Sequence, residues 1–216
     1  MSPKLSSSQK ELRNLQILDA AKRVFAEKGY GAVTLKDIIA ETGMSRGWIY
    51  LYYQTKDEIF EALLEHQDLE YNRYLEQLME SSSSIWEVIT TLYSQQLQDL
   101  QQSPHGGLIP AFYEYFLIGW RDETRRGLLL NRYERGITQF AGLLQTGIDR
   151  GEFFPIMDVS EISRLAASYQ EGIMTHTITV GQEKVNTRMQ LEALVHYLQN
   201  LLKPVLISEH PREEIE

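Results

Sequence analysis

Apolar residues recur at three- and four-residue spacing along nearly every long segment of the chain, the period of an amphipathic helix. Over residues 9–28 the positions Leu12, Leu15, Ile17, Leu18, Ala21, Val24 and Phe25 form one broad stripe, and Gly29 is placed to end that helix in a left-handed conformation. Thr34, with Asp37 three residues on, predicts a capping-box start for a second helix, which Thr42 and Gly43 keep short. Ser45 predicts the cap of a third helix running through Tyr52. Thr55 predicts a fourth from Lys56 to about Met79, with Asp57 and Glu58 in the first turn where negative charge suits the helix dipole. Ser81 to Ser84 reads as a loop whose last residue caps a helix over 85–100, and the cluster Ser103-Pro-His-Gly-Gly107 is a breaker. Further helices are predicted over 109–119, 123–150, 159–180 and 187–203, with a charged tail over 207–216. Period-two alternation is rare, no Asn-Gly or Asp-Gly hairpin turn occurs, and no repeat of fixed period is found, so the fold class expected is all-α.

Composition changes this picture little. With 216 residues, 43% of them hydrophobic, the chain has material for one or two domains with real cores. The absence of Cys excludes disulfides, thiolate metal ligands and cysteine nucleophiles, and is compatible with a reducing compartment, so a cytoplasmic location is expected. The polar, Ser-rich start has no apolar core of a signal peptide, and no apolar run approaches the roughly 18 residues of a membrane span. His66, His105, His176, His196 and His210 are dispersed and read as structural or exposed, none at a spacing that suggests zinc. No Gly-rich phosphate loop or nucleophile elbow is present, so neither an enzyme, a metal nor a cofactor is expected.

The net charge of −9 argues at first against a nucleic-acid partner. Its distribution argues the other way. Residues 1–60 hold nine Lys and Arg against seven Asp and Glu, whereas the remainder holds twelve against twenty-three. Within that more basic end, two short helices joined by a Gly-containing turn, the second rich in Tyr and carrying Arg46, form a helix-turn-helix pattern.

The stretch from Thr34 to Phe60, TLKDIIAETGMSRGWIYLYYQTKDEIF, resembles the tetracycline-repressor (TetR) family, and the preceding ILDAAKRVFAEKGY of residues 17–30 is similar to the family's first helix. The departures are small: Ile39 where Ala is frequent, Met44 where Val is usual, Tyr52 where His is common, and Tyr53 where Phe is usual. The resemblance implies a DNA-binding domain over 1–56, a helical ligand-binding and dimerisation domain over 57–206, and the tail beyond. It implies that Thr34, Ser45, Tyr50, Tyr52 and Lys56 reach the DNA backbone, where hydroxyls, helix N-termini and Lys meet phosphate. Lys36, Arg46, Gly47 and Trp48 fall where the family reads or approaches base edges. Arg46 suits a bidentate contact to guanine, and Gly47 lets the backbone come close. Trp48 lies either against sugar or a thymine methyl, or in the core. Lys36 has a solvated surface charge as its alternative, and Tyr53 reads as core.

The remaining expectations concern the C-terminal part. The stripes Ile162, Leu165, Ala166, Tyr169, Ile173, Met174, Thr177 and Leu191, Leu194, Val195, Leu198, Leu201, Leu202 mark the last two long helices. The resemblance gives them to a homodimer interface, with part of each stripe left for the subunit's own core. Trp86, Tyr93, Phe112, Tyr113, Phe116 and Trp120 offer an apolar lining for a small-molecule effector, against the alternative that aromatic stripes on buried helices are core. The function expected is a ligand-responsive repressor that binds a pseudo-palindromic double-stranded operator as a homodimer and is released by a small molecule. The alternatives are a ligand-independent DNA-binding regulator or activator, and a ligand-binding or enzymatic helical protein whose N-terminal unit makes protein contacts.

Overall fold

The structure, a computed structural model, describes residues 6–103 and 107–205. The charged tail, His105 and His210 lie outside the described residues. Nine helices and no strand occur among the described residues: α1 (Ser7–Ala32), α2 (Leu35–Thr42), α3 (Arg46–Ile49), α4 (Lys56–Ser81), α5 (Ile85–Gln102), α6 (Ile109–Ile118), α7 (Glu123–Asp149), α8 (Val159–Val180) and α9 (Thr187–Leu202). The helical period therefore found every long element.

Local capping sets most of the starts. The Thr55 and Ser84 hydroxyls each accept the backbone N–H three residues on, at 3.1 Å, and so begin α4 and α5. Ser6 and Gln9 form a reciprocal capping box that starts α1 before its apolar stripe begins. Gly29 does not end α1 in a left-handed turn as expected. At φ 75° and ψ 170° it kinks the chain, and another helical turn follows to Ala32. The kink sets Tyr30 into the core, where 4% of its surface is exposed.

The chain divides into two compact units. One runs to Gln77 and takes in Ser103–Leu129; the other holds Leu78–Gln102 and the chain from Leu130 onward. In the first, α1 packs against both α2 and α6. Its core gathers Ile17, Phe25, Tyr30, Ile38, Ile49, Phe60, Tyr115 and Phe116. Tyr30 lies 5.1 Å from Phe60 and 4.9 Å from Tyr115, ring centre to ring centre. In the second unit α9 packs against α8 and α5, with Ile89, Leu144, Phe153, Leu194 and Leu198 in its interior. Backbone bonds from the N–H of Phe154 to Leu202, 2.8 Å, and of Ile156 to Leu201, 2.9 Å, lash residues 152–156 along the end of α9.

Both buried tyrosines of the first unit carry a hydroxyl that needs a partner away from water. Tyr30 Oη donates to Asp57 at the start of α4, and Tyr115 Oη donates to Glu61 one turn later. Arg125, at the start of α7, donates to Asp57 at 2.6 Å and lies 4.5 Å over the Tyr115 ring. Burial, followed by the hydrogen bonds to Asp57 and Glu61, pushes both phenols well above the ordinary tyrosine range. A raised folded value means that the proton is held more tightly in the folded state. The resulting stability is therefore complete below about pH 10, the unfolded value, and is lost as pH rises towards the folded one.

Two outcomes follow from this packing. In an alkaline titration followed by near-ultraviolet phenolate absorbance, Tyr30 and Tyr115 ionise only as the first unit unfolds; Tyr30→Phe lowers the number of late-ionising groups by one. A Cβ at buried Gly147 would stand 2.3 Å from the Phe153 ring, so Gly147→Ala overpacks the second unit and lowers stability by about 1–3 kcal/mol in urea unfolding.

Candidate nucleic-acid interface

The first element of the candidate interface is α2. Thr34 Oγ1 accepts the Asp37 N–H at 3.3 Å, while the Asp37 carboxylate takes the Thr34 N–H at 2.8 Å, the reciprocal pair the sequence predicts. The Thr34 hydroxyl, then the Lys28 ammonium 2.9 Å away, hold the Asp37 carboxyl well below the usual carboxylate range. The support that Asp37 gives the start of α2 is thus present above about pH 4 and lost as pH falls towards its folded value. Ile38 is fully buried under α2, while Lys36 is exposed.

Gly43 ends α2 in a left-handed conformation, φ 66°, which turns the chain sharply enough for α3 to follow. Thr42 holds this turn. Its hydroxyl donates to the Ile39 carbonyl at 2.8 Å and accepts the Met44 N–H at 3.1 Å. Ser45 stands at the N-cap of α3 but makes no side-chain cap bond, so its exposed hydroxyl is not committed to the helix. The third helix is also shorter than expected: regular α-helix ends at Ile49, and the Leu51 and Tyr52 amides bond three residues back, to Trp48 at 3.3 Å and Ile49 at 2.9 Å, in a tightened turn.

Ile49 is the buried anchor of α3 and fixes which face points outward. That face carries Arg46 and Gly47, both exposed, with Tyr50 half-buried beside them. The Arg46 guanidinium donates to Tyr50 Oη at 3.2 Å, so the two form one polar unit. At Gly47 a Cβ would meet nothing within 4 Å. Glycine there costs helix stability without relieving any crowding inside the protein, which leaves space for another molecule to approach the backbone.

The other expected contacts are disposed differently. Trp48 is half-buried beneath Arg13 of α1, whose guanidinium carbon sits 3.9 Å from the ring centre. Arg13 was not singled out by sequence; its position one side of a helix away from Trp48 becomes visible only in three dimensions. Tyr52 and Tyr53 pack partly against the core, and Tyr53 Oη donates to Asn14 at 2.6 Å. Lys56 bonds inward, its ammonium donating to the carbonyls of Tyr30 and Val33 at 2.8 Å each. Lys28 and Arg23 are paired with Asp37 and Glu41.

The aromatic residues expected around an effector divide between the two units. Trp86 and Tyr93 lie on α5 in the second, half-buried and buried respectively. Phe112, Tyr113 and Phe116 lie on α6 in the first, with Phe116 buried in its core and Phe112 packed 4.7 Å from it. Trp120 is exposed after α6, beneath Arg121. His66 stands 3.5 Å from Glu70, one helical turn on, a pair the sequence reading passed over. No group of three such ligands suited to a metal occurs among the described residues.

Comparison with known proteins decides the family. The family model for bacterial regulatory proteins, tetR family, matches residues 17–63, and that for the tetracyclin repressor-like C-terminal domain matches residues 88–188. The uncharacterized HTH-type transcriptional regulator YfiR of Bacillus subtilis is 34% identical over 94% of this chain and 98% of its own length. The chain belongs to the TetR family. Another TetR-family relative, the HTH-type transcriptional repressor KstR2 of Mycolicibacterium smegmatis, is 25% identical over 73% of this chain and 75% of its own. A TetR transcription regulator from Haloarcula marismortui has the same fold, with a TM-score of 0.75 and 20% identity over 89% of this chain and 99% of that one. These TetR proteins are transcriptional regulators, not enzymes. No helix among the described residues is long and apolar enough to cross a membrane.

The capping box makes a measurable difference to this surface. Thr34→Ala removes the acceptor for the Asp37 amide and costs α2 about 1 kcal/mol, read as roughly fivefold faster amide exchange over residues 35–42.

Proposed function

We propose that this TetR protein is a ligand-responsive repressor that binds a pseudo-palindromic operator as a homodimer and is released by a small molecule. The observation that carries the DNA-binding part is the outward face of α3. There an anchored helix presents Arg46, a glycine with open space above it, and a tyrosine hydroxyl side by side. Arg46 reads guanine O6 and N7 in the major groove, and Gly47 lets the α3 backbone approach the base edges or sugar. Lys36 and Trp48 flank that contact, with Trp48 held against the surface by Arg13. Thr34, Ser45, Tyr50 and Tyr52 meet phosphates and fix register. Lys56 contributes from the start of α4, where its backbone amide adds to the positive end of the helix while its ammonium steadies residues 30–33.

The homodimer is assigned to α8 and α9. Their stripes divide, as Ile162, Ala166, Leu191 and Leu198 are buried within the subunit whereas Tyr169 stays exposed, next to Tyr197, an exposed α9 residue outside the stripes. Those two rings lie 5.6 Å apart, one from each helix, and give a contiguous aromatic surface for a second copy. Two copies put two α3 helices into successive major grooves, about 34–36 Å apart. The effector reading rests on the aromatic residues of α6 in the first unit, Phe112, Tyr113 and Phe116, with Trp120 after them; Trp86 and Tyr93 belong to the second unit. Release follows if the effector favours a form in which the two α3 helices no longer match that spacing. Repression, rather than activation, follows the direction named for KstR2.

A fluorescence-anisotropy titration against DNA selected by the protein from a random library tests the reading, with unselected DNA as control and salt varied. The expected result is binding at least about 10³-fold tighter to selected DNA, with steep salt dependence. Arg46→Ala weakens it by about 1–3 kcal/mol and relaxes preference at one base pair of each half-site. Gly47→Ala leaves the fold as stable or about 0.5–1 kcal/mol more stable, yet weakens operator binding. Equal binding to selected and unselected DNA contradicts the proposal.

A further inference from the structure

The last turn of α1 and the short connector that follows it to α2 are held by two helices. Lys56 of α4 donates to the carbonyls of Tyr30 and Val33. The Glu114 carboxylate of α6 accepts the backbone N–H of Gly31 at 2.7 Å. Glu114 sits in a notch made by two glycines. A Cβ at Gly29 would stand 2.5 Å from Glu114 Oε1, and one at Gly31 would stand 3.4 Å from Oε2. The positive φ of Gly29, 75°, is the backbone state that opens this notch and turns Tyr30 into the core.

From Gly31 the chain reaches the α2 N-cap, Thr34, in three residues, a span of at most about 11 Å. Val33, the residue just before the cap, is buried and held through its carbonyl by Lys56. A displacement of Gly31 therefore has little slack in which to dissipate before it reaches α2. On α6, Glu114 lies between Tyr113 and Phe116, two of the residues assigned above to the effector.

We propose that Glu114 is a positioning residue: its carboxylate on the Gly31 amide fixes the connector, and with it α2 and α3, directly from α6. Withdrawal of that carboxylate is the route by which a shift of α6 loosens the DNA-binding face without first moving α4. The proposal rests on the repressor reading for its consequence on DNA, but the clasp itself is a property of the chain alone.

The test uses the full-length protein and its Glu114→Ala and Glu114→Gln variants. Amide hydrogen exchange is measured over residues 29–42, and affinity is measured for DNA selected by the wild type and for unselected DNA. Glu114→Ala raises exchange at Gly31 and through α2, and lowers affinity for selected DNA, each by about tenfold, with affinity for unselected DNA and the thermal midpoint near those of the wild type. Glu114→Gln restores both, since its amide oxygen accepts the same N–H. If Ala unfolds the chain, Glu114→Met replaces it, keeping the length without the acceptor. Unchanged exchange at Gly31, or an equal loss on both DNAs, overturns the proposal. A wild type that selects no DNA contradicts the repressor reading instead, and the exchange measurement still decides whether the clasp exists.

Discussion

A hydroxyl carried into an aromatic core must be met there by an acceptor, and in the first unit this requirement falls on Tyr30. Its ring occupies the space between Phe25, Phe60 and Tyr115, so the oxygen at its tip arrives at the start of α4 and nowhere else. Asp57 answers it, Arg125 balances Asp57, and the same guanidinium covers the Tyr115 ring whose own hydroxyl is met by Glu61. The ends of α1, α4 and α7 thus converge on one small, part-buried polar cluster at the edge of the aromatic core. Losing an acceptor leaves a tyrosine hydroxyl buried without a partner, which is costlier than never having had the hydroxyl. The helix-turn-helix hangs from this point through a connector only a few residues long.

Charge available at the proposed DNA-binding surface is limited. Two of the basic residues of α1 are matched by acidic residues of α2, and Lys56 is directed inward, so the slight positive balance of residues 1–60 is not all available to phosphate. In a chain of net charge −9 this limits indiscriminate attraction to nucleic acid, because most of the non-specific affinity of such proteins is electrostatic. In the proposed complex the weight then shifts to contacts that depend on shape: an unobstructed glycine, the uncommitted Ser45 hydroxyl and one guanidinium set by its neighbour.

The helices and their starts were legible in the sequence because their causes are local. Thr34 with Asp37, Thr55 with Glu58 and Ser84 with Glu87 are each settled within three residues, and Gly43 announces its turn by residue type alone. The candidate interface was legible through the resemblance over residues 17–60, which placed Arg46 and Gly47 on an outward face. What escaped has long-range causes. Gly29 looked like a helix end because nothing nearby reveals a carboxylate from residue 114, 83 positions beyond Gly31. The inward bonds of the Lys56 ammonium escaped as well, because its partners are carbonyls, and a carbonyl leaves no mark in a sequence. The length of α3 was overestimated for a related reason: side-chain pattern continues through Tyr52, while the backbone tightens after Ile49.

If α3 reads an operator as proposed, that tightening bears on how much genomic information one subunit can extract. A reading helix that is regular for four residues offers base edges a single turn of side chains, and therefore discriminates among few base pairs. Each wrong base pair costs about 1–3 kcal/mol, and a genome presents about 10⁶ or more competing addresses, so so short a reader taken alone would spend nearly all its time at the wrong ones. The proposed homodimer would double the reader, which multiplies discrimination instead of adding to it and makes the distance between the two halves part of the address.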